Sequence, residues 1–403
     1  MEKPPYEYRR YDFDVALVAP IVQAAEEAAF EHGRSTASNR VALASARLAM
    51  WGDAVSSCRM EGVDARAAAD PVNLTPGDFA AMRVSRAAAF ALMQAQTPGP
   101  KPQSLARAQS LREIHLIAMT GVGLYGESAG LEAGQFRDHA AVIRRSGTGD
   151  EETSLGPVVH VGSSPKVLPL HIARWSRDFA PGPQHPIVRA GLAHLTLEKI
   201  HPFSDGNGRV GRILASGMLA EAGYPCTTIS RVINRRRDLY YAGLAGADKG
   251  DATQWLQVFT GAAWEAVSGR AELDRKVASE MHTLLDAAGT RSIGVDALVT
   301  ELVSMPVATA RALAARTGLG GDEAMSILER LAGDGHVELT RINEGAIVRV
   351  PSVIALAEPE DSGPSLDLAR RALAEHRKDM ADGEDREQGK AGAARPGVRD
   401  RGR

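Results

Sequence analysis

Apolar residues recur at helical spacing along most of the chain. From 15 to about 95 they return every three or four positions with charged residues between them, which predicts several helices in an Ala-rich region. Within this region Asn39 is the predicted cap of a helix over 40–55. Gly62 is the predicted terminator of that stretch, since glycine readily takes the backbone conformation that ends a helix.

A second pair of helices is predicted around a proline. Pro186 suits the first turn of a helix whose apolar face runs to Ile200. Pro202 disfavours α conformation at His201, so this helix ends there. A new helix is expected to begin around 209 and to run to 223. The residues between the two helices therefore form a connecting loop.

Two segments depart from the helical pattern. In 157–168, β-branched residues flank Gly162-Ser-Ser-Pro165, which predicts two small strands joined as a hairpin. From 291 to 351 the pattern predicts three short helices and then two strands, an order typical of a winged helix. Those helices are placed at 295–303, 308–317 and 322–332, and the strands at 336–340 and 345–350.

Composition narrows the class of protein. At 403 residues the chain is longer than one hydrophobic core usually serves, so two or three domains are expected. Hydrophobic residues make up 44% and charged residues 24%, and the net charge of −3 gives no bulk attraction to nucleic acid or to an anionic membrane. Cys58 and Cys226 have no metal-ligand spacing, which fits a reducing compartment. With no apolar window of about 18 to 20 residues, a cytoplasmic protein is expected.

The loop between the two helices carries the candidate chemistry. It reads His201-Pro-Phe-Ser-Asp-Gly-Asn-Gly-Arg-Val-Gly-Arg212. Gly206-Asn-Gly208 lets backbone N–H groups converge on an anion, directly before the positive end of a helix. Arg209 and Arg212 lie three apart and can face one polyphosphate.

Two further side chains complete this candidate site. Asp205 offers a hard oxygen ligand beside the phosphates, which is what Mg²⁺ requires. His201 has an ordinary pKa near neutrality and can take a proton from an attacking hydroxyl. Taken singly, such glycines and arginines are usual in turns and on solvated helices.

The twelve-residue string is similar to the signature of the Fic (Fido) family at every defining position. In that family the histidine is the general base, the aspartate binds Mg²⁺, the glycines, asparagine and arginines hold the phosphates, and the phenylalanine anchors the loop. The resemblance assigns these roles to His201, Asp205, Gly206, Asn207, Gly208, Arg209, Arg212 and Phe203.

Segments on either side of the loop also resemble the family. Ser230 and Tyr240-Tyr241 resemble a part that lines the nucleotide pocket, with Tyr241 as the candidate contact. Asp248 stands where some relatives have an asparagine near the adenosine. The hairpin 157–168 occupies the position of the family's flap, which aligns a target by adding its extended segment to an open strand edge.

A second motif lies upstream. Ser57-Cys-Arg-Met-Glu61-Gly62 fits Ser/Thr-x-x-x-Glu-Gly, the inhibitory helix of many Fic proteins, and Ser57 and Glu61 share one helix face. In the family the glutamate pairs with the arginine that matches Arg212 and occupies the space of the γ-phosphate. Without a Fic loop, the same spacing is common on solvated helices.

These observations predict a mostly α protein: a Fic/Fido helical core with a short β-hairpin flap, an N-terminal helical region and a C-terminal winged-helix-like domain. The predicted boundaries are 1–109 for the N-terminal region with its inhibitory helix, 110–265 for the Fic core, 291–351 for the winged-helix-like domain and 352–403 for a polar, disordered tail.

The resemblance implies an autoinhibited enzyme that moves AMP from ATP to a Ser, Thr or Tyr hydroxyl of a protein, with Mg²⁺ as cofactor. Self-modification and a homo-oligomer are compatible with this function, and no membrane partner is expected. UMP transfer and removal of AMP are alternatives within the family. A DNA-binding regulator acting through 291–351 is the alternative from another class, but the predicted recognition helix is acidic, which favours protein docking.

Overall fold

The computed structural model describes residues 3–33, 38–96, 104–120, 132–144, 158–225, 228–343 and 345–358. The described part is mostly helical. In chain order its helices are α1 (Val15–Gly33), α2 (Asn39–Met60), α3 (Pro76–Gln96), α4 (Ala108–Met119), α5 (Leu168–Asp178), α6 (Pro186–Ile200), α7 (Asn207–Glu221), α8 (Ile229–Arg235), α9 (Arg237–Gly246), α10 (Thr253–Ala287), α11 (Ile293–Ser304), α12 (Ala310–Thr317), α13 (Gly321–Gly333) and α14 (Pro351–Ala357). Its strands are β1 (Val142–Arg144), β2 (Val158–Val161), β3 (Val307–Thr309), β4 (Glu338–Ile342) and β5 (Gly345–Arg349).

Helix α2 is longer than its pattern predicted and starts from a different cap. Ser38, not Asn39, accepts the capping hydrogen bond, its Oγ lying 3.4 Å from the Val41 N atom. Asn39 is already helical, so the predicted cap was placed one residue late. The helix continues beyond 55 to Met60 because its later turns are also buried. Gly62, with φ of +77°, follows the end of the helix as expected.

The core of the N-terminal half forms around α2, which packs on α3, α8, α10 and α11, while α1 lies along α10. Trp51 and Cys58 of α2 are buried, and the Trp51 indole donates to the Ala67 carbonyl at 2.9 Å. Helices α6 and α7 pack against each other and against α3, α4 and α10. The loop between α6 and α7 therefore lies next to the C-terminal end of α2.

The structure contains a small hairpin, but the strand that pairs with β2 is not the predicted one. Strand β2 pairs antiparallel with β1, and the residues after β2 lead into α5 at Leu168. The predicted second strand within 157–168 is therefore wrong, and residue 157 lies outside the described residues. The reason is packing: Leu168, Ile172 and Trp175 form a buried helical face that outweighs the local β preference.

The region 291–351 contains the predicted helices and strands together with one more strand. Strands β3, β5 and β4 form a three-stranded antiparallel sheet in that order. Strand β3 occupies residues that were expected to open α12, because Ala308 is buried against β5 and Thr309 instead caps α12, its Oγ1 accepting from Ala312 N at 3.2 Å. The winged-helix assignment itself stays a prediction.

The chain beyond 351 begins with an ordered helix. In α14, Val353 and Ala357 are fully buried, so the predicted polar tail starts later than 352. The polar helix and disordered segment predicted beyond 358 lie outside the described residues, as does Cys226. Helix α10 continues through the predicted end of the core at 265 to Ala287. Within the described residues, no helix has the length and apolar character needed to span a bilayer.

Candidate active site

His201 lies at the C-terminal end of α6 in a left-handed conformation. Its φ of 52° and ψ of 63° are rare for a residue with a side chain, and such strain is typical of functional positions. The buried Arg137 side chain holds this conformation by donating to the His201 carbonyl at 2.7 Å and to the Ser163 carbonyl at 2.6 Å. His201 Nδ1 lies 3.4 Å from the Glu198 carbonyl. That carbonyl can only accept, so Nδ1 carries the proton and Nε2 is left as the base.

The loop after His201 is closed by an aromatic stack and an amide. Phe203 is fully buried and stacks on His115 with ring centroids 3.9 Å apart. The Asn207 side chain accepts from Phe203 N and donates to Phe203 O, both at 2.9 Å. Asn207 is itself 2% exposed, and both of these bonds hold the loop. Its role at the phosphates stays a prediction.

The anion cradle is the N-terminal end of α7. Gly206 has φ of +78°, and a Cβ there would lie 2.7 Å from the Met119 sulfur. At Gly208, a Cβ would overlap the Glu61 carboxylate and come within 2.8 Å of Arg212 Nη1. The first amides of a helix have no intrahelical partner and are available to an anion. Gly206 therefore suits the positive φ of its position, and an added side chain at either glycine would displace the neighbouring Met119, Glu61 or Arg212 side chain.

Asp205 lies at the rim of this cradle. Its carboxylate accepts from Arg209 Nη2 at 3.0 Å and its side chain is 42% exposed. Arg209 is buried, and its Nε has no hydrogen-bond partner among the described residues. One partly exposed carboxylate beside an anion site is a ligand that Mg²⁺ can share with phosphate oxygens. The residues present therefore fit a magnesium–nucleotide complex.

Arg212, the second signature arginine, is contacted by α2. Its Nη2 donates to Glu61 Oε1 at 2.7 Å, and its Nε donates to Ser57 Oγ at 3.0 Å. Its Nη2 also lies 3.1 Å from the Ser57 carbonyl oxygen. Burial acts to lower the pKa of Arg212, but the attraction of Glu61, together with that of Tyr240 and Glu198, outweighs it and the pKa is raised. The structure thus brings the upstream motif and the signature loop together.

The pKa values of two ionisable groups at the C-terminal end of α6 are strongly shifted. Burial lowers the pKa of His201 to about 4, with help from the nearby His160. Burial raises the pKa of Glu198 to about 7, against the attraction of Arg212. Glu198 Oε1 has no hydrogen-bond partner among the described residues. At neutral pH His201 is therefore unprotonated, as a general base must be.

The predicted nucleotide-pocket residues separate into buried and open ones. Tyr241 is 42% exposed and packs edge-on against Tyr240, which is buried and bonded to His194 at 2.9 Å. Tyr241 is thus the side chain of this pair that is open to a ligand. Asp248 pairs with Lys199 instead of pointing out alone. Ser230 donates to Asp53 Oδ2 at 2.8 Å and is a structural contact.

The N-terminal segment of the chain covers one outer edge of the β1–β2 hairpin. Tyr6 N donates to the Val161 carbonyl at 3.0 Å, and Lys3 Nζ donates to the Val159 carbonyl at 2.6 Å. The N-terminal segment therefore covers the side of β2 that faces away from β1. Among the described residues, β1 has no strand partner on its far edge, which is the edge left for an added strand.

Sequence reasoning missed two residues of this site. Asp53 is partly buried, accepts from Ser230 Oγ and Arg231 N, and has a pKa raised by burial to about 6. It precedes Ser57 by four residues on the same face of α2, a spacing that could have identified it. Glu198 precedes His201 by one turn but gives no local signal, because only burial distinguishes it from a solvated glutamate.

The model of the Fic/DOC family matches residues 106–219. The protein named Protein adenylyltransferase Fic from Drosophila ananassae is 40% identical over 101 residues, and its counterpart in Aedes aegypti is 39% identical over the same length. Each match covers 24% of this chain and 20% of the relative, so the chain matches about a fifth of the length of these curated relatives.

Among solved structures, a Fic family protein from Desulfovibrio desulfuricans is similar over 90% of this chain and 100% of its own, at 20% identity and a TM-score of 0.47. A likeness at this level indicates nothing about function. The family match, by contrast, includes helices α4, α5, α6 and most of α7, together with the whole signature loop. Residues 106–219 of this chain therefore form a domain of the Fic/DOC family.

Proposed function

We propose that this chain is a protein adenylyltransferase, which moves AMP from ATP to a Ser, Thr or Tyr hydroxyl of a protein. The observation that carries the proposal is the complete signature loop folded between a neutral His201 and the N-terminal end of α7. The curated relatives that match this region are named adenylyltransferases, which supports the same reaction.

In this proposal the attacking group is a hydroxyl oxygen and His201 Nε2 takes its proton. The oxygen attacks the α-phosphorus of ATP in line, a new O–P bond forms, and the bond to pyrophosphate breaks. Backbone amides at Asn207 and Gly208, with the guanidinium of Arg209, stabilise the charge on the transferred group. Such fixed donors usually supply the largest share of catalysis in acyl and phosphoryl transfer.

Asp205 is the residue that would hold Mg²⁺, which when bound neutralises charge on the ATP phosphates. The side chain of Arg209 keeps that carboxylate at the rim of the cradle. Tyr241 is the proposed contact for the base of the nucleotide, since its ring is half exposed beside the buried Tyr240.

Autoinhibition is part of the proposal. Glu61 supplies a carboxylate to Arg212 and also lies against Gly208, at the helix end where phosphates would bind. A polyphosphate and Glu61 would therefore compete for one guanidinium. ATP could enter only in a pose that leaves its γ-phosphate away from Arg212, which is unsuited to transfer.

The test compares Glu61→Gly with the wild type, using ATP labelled at the α-phosphate and mapping modified residues by mass spectrometry. Glu61→Gly should label itself strongly, and the double variant Glu61→Gly/His201→Ala should not, while still binding ATP. Labelling that survives His201→Ala contradicts the general-base role. Equal labelling by wild type and Glu61→Gly excludes inhibition in cis.

The same assay with labelled UTP, CTP and GTP separates AMP transfer from UMP transfer. Within the described part of 291–351, the exposed face of α13 is acidic and does not favour DNA binding: it carries Asp322, Glu323 and Glu329, and Glu329 already pairs with Arg341. We therefore assign the function to the Fic domain.

A further inference from the structure

The C-terminal unit, defined here as α11 to α14 with β3 to β5, contacts α2 along much of its length. In the first half of α2, the Arg47 guanidinium makes two bonds to the Glu301 carboxylate, at 2.6 and 3.2 Å. Glu301 also accepts from Arg316 at 3.2 Å, and Arg40 pairs with Asp296. Such two-bond arginine–carboxylate pairs fix orientation as well as distance.

The middle of α2 is contacted through a glycine. A Cβ at Gly52 would lie 2.6 Å from the Ala357 carbonyl oxygen, so α14 lies directly on the α2 backbone. A glycine inside a helix is less favourable than alanine, because it loses more backbone freedom on folding. Its presence here is explained by the close approach of α14, which no larger residue would allow.

Beyond Gly52, the C-terminal unit contacts the end of α2 and the chain that follows it. Arg59 pairs with Glu358 at 3.1 Å, and Asp70 pairs with Arg349 at 2.9 Å. These contacts lie on either side of Glu61. The segment that carries the inhibitory glutamate is therefore held at both ends by the C-terminal unit.

Helix α8 connects α14 to the face of α2 that carries Ser57. Arg231 donates to the carbonyls of Leu356 at 3.1 Å and Glu358 at 2.6 Å. The backbone N–H of Arg231 donates to Asp53 at 3.0 Å. Asp53 lies on the face of α2 that carries Ser57 and Glu61, so α14, α8 and the inhibitory face form one connected set of contacts.

We propose that the C-terminal unit is the regulatory element of this chain: it clamps α2 so that Glu61 stays on Arg212. The proposal rests on the proposed autoinhibition and extends it, because it assigns the control of inhibition to a part of the chain remote from the nucleotide. A change that loosens the clamp releases α2, and a change that tightens it represses transfer. The coupling is reciprocal, so loss of Glu61 from Arg212 also weakens the contact between α2 and the C-terminal unit.

The first test measures amide hydrogen exchange of the peptide that spans residues 53–63 in the full-length chain. Gly52→Ala should speed its exchange about fivefold or more, as loss of one or two net interactions requires. Alanine raises intrinsic helix stability, so faster exchange can only come from the lost packing of α14. The matched control is Gly269→Ala in α10, where an added Cβ meets nothing within 4 Å.

A second variant tests the clamp independently of whether Gly52→Ala folds. Glu301→Gln keeps the shape of the side chain but removes the charge that binds Arg47, and should speed exchange in the same peptide. Its control is Glu329→Gln, which breaks an exposed ion pair with Arg341 in the same unit, away from α2. Unchanged exchange in both Gly52→Ala and Glu301→Gln overturns the clamp, whatever the enzyme does.

Transfer from labelled ATP is the second readout. Gly52→Ala and Glu301→Gln should raise labelling toward the level of Glu61→Gly, and should add nothing when combined with Glu61→Gly. If Glu61→Gly is active but both clamp variants label like the wild type, the clamp is wrong and the proposed function stands. If Glu61→Gly itself transfers no nucleotide, the proposed function fails, and the exchange result alone decides the clamp.

Discussion

The guanidinium of Arg212 is divided between Ser57 in the last turn of α2 and Glu61, the residue that follows this helix, with Glu61 Oε1 2.7 Å from Nη2 and Ser57 Oγ 3.0 Å from Nε. Arg212 is 1% exposed, so it needs an anion at all times, since an unpaired buried charge is costly. In the present arrangement that anion is the Glu61 carboxylate. In the proposed active state it is a phosphate of ATP.

Ser57→Ala should relieve inhibition in part. It removes one of the three bonds between α2 and Arg212, worth about 0.5–1.5 kcal/mol, while Glu61 stays in place. Transfer from labelled ATP should rise about two- to tenfold, less than in Glu61→Gly. The matched control is Ser56→Ala, because Ser56 is equally buried but bonds only the Gly52 carbonyl. A rise in the control as large as in Ser57→Ala would point to general loosening of α2.

As the pH is lowered, the transfer rate should decrease only at a pH well below the ordinary pKa of histidine. Burial lowers the pKa of His201 to about 4, so the neutral base persists as the pH falls through 6.5. In Glu61→Gly, the rate should change little between pH 8 and about pH 5.5 and fall only toward pH 4. An acid limb centred near pH 6.5 would show that the imidazole titrates as if exposed.

The thermal stability of the protein should also decrease as the pH falls. A histidine that is neutral in the fold but charged when unfolded favours the unfolded state as pH falls below 6.5. Burial also lowers the pKa of His115 to about 4 and of His194 to about 3. The thermal midpoint should therefore decrease between pH 6.5 and pH 4, and His201→Gln should lessen that decrease.

Asn207→Ala should destabilise the loop more than it alters any direct contact with nucleotide. The substitution leaves the Phe203 N–H and carbonyl without partners in a buried site, a cost of about 1–3 kcal/mol for each group. The thermal midpoint should fall by several degrees, and transfer in the Glu61→Gly background should be lost. Asn73→Ala is the control, because the Asn73 side chain is exposed and its bond to Asp70 is long at 3.5 Å. An unchanged midpoint would mean that the loop closes without this amide.

Glu198→Gln should stabilise the protein at high pH but not at low pH. Burial raises the pKa of Glu198 to about 7, so the fold loses stability as pH rises from 4.5 toward 7, where the unfolded chain ionises first. Glutamine removes that loss. The midpoint gain should be about 2–5 °C at pH 8 and near zero at pH 4.5. An equal gain at both pH values would show that the buried carboxyl does not titrate in this range.

The helices with clear end signals could be predicted, because the hydrophobic period and the end signals of a helix lie in its own sequence. Pro186 and Pro202 predicted the bounds of α6 to the residue, since proline acts through local geometry alone. Strand pairing could not be predicted in the same way. Strand β2 pairs with β1, whereas Leu168, the last residue of the predicted hairpin, begins α5 because its side chain is buried.

What the sequence alone determined is the signature loop and the upstream motif, since both are contiguous strings whose residues must stand at fixed spacing to do their chemistry. The resemblance implied that Glu61 pairs with Arg212, 151 residues away, and the folded chain makes this contact. Only the tertiary structure decided that Asn207 closes the loop instead of reaching outward and that α14 lies on Gly52. The reason is physical. Local geometry fixes which residues share a helix face, whereas burial and the packing of distant helices fix which groups that face contacts and how their pKa values shift.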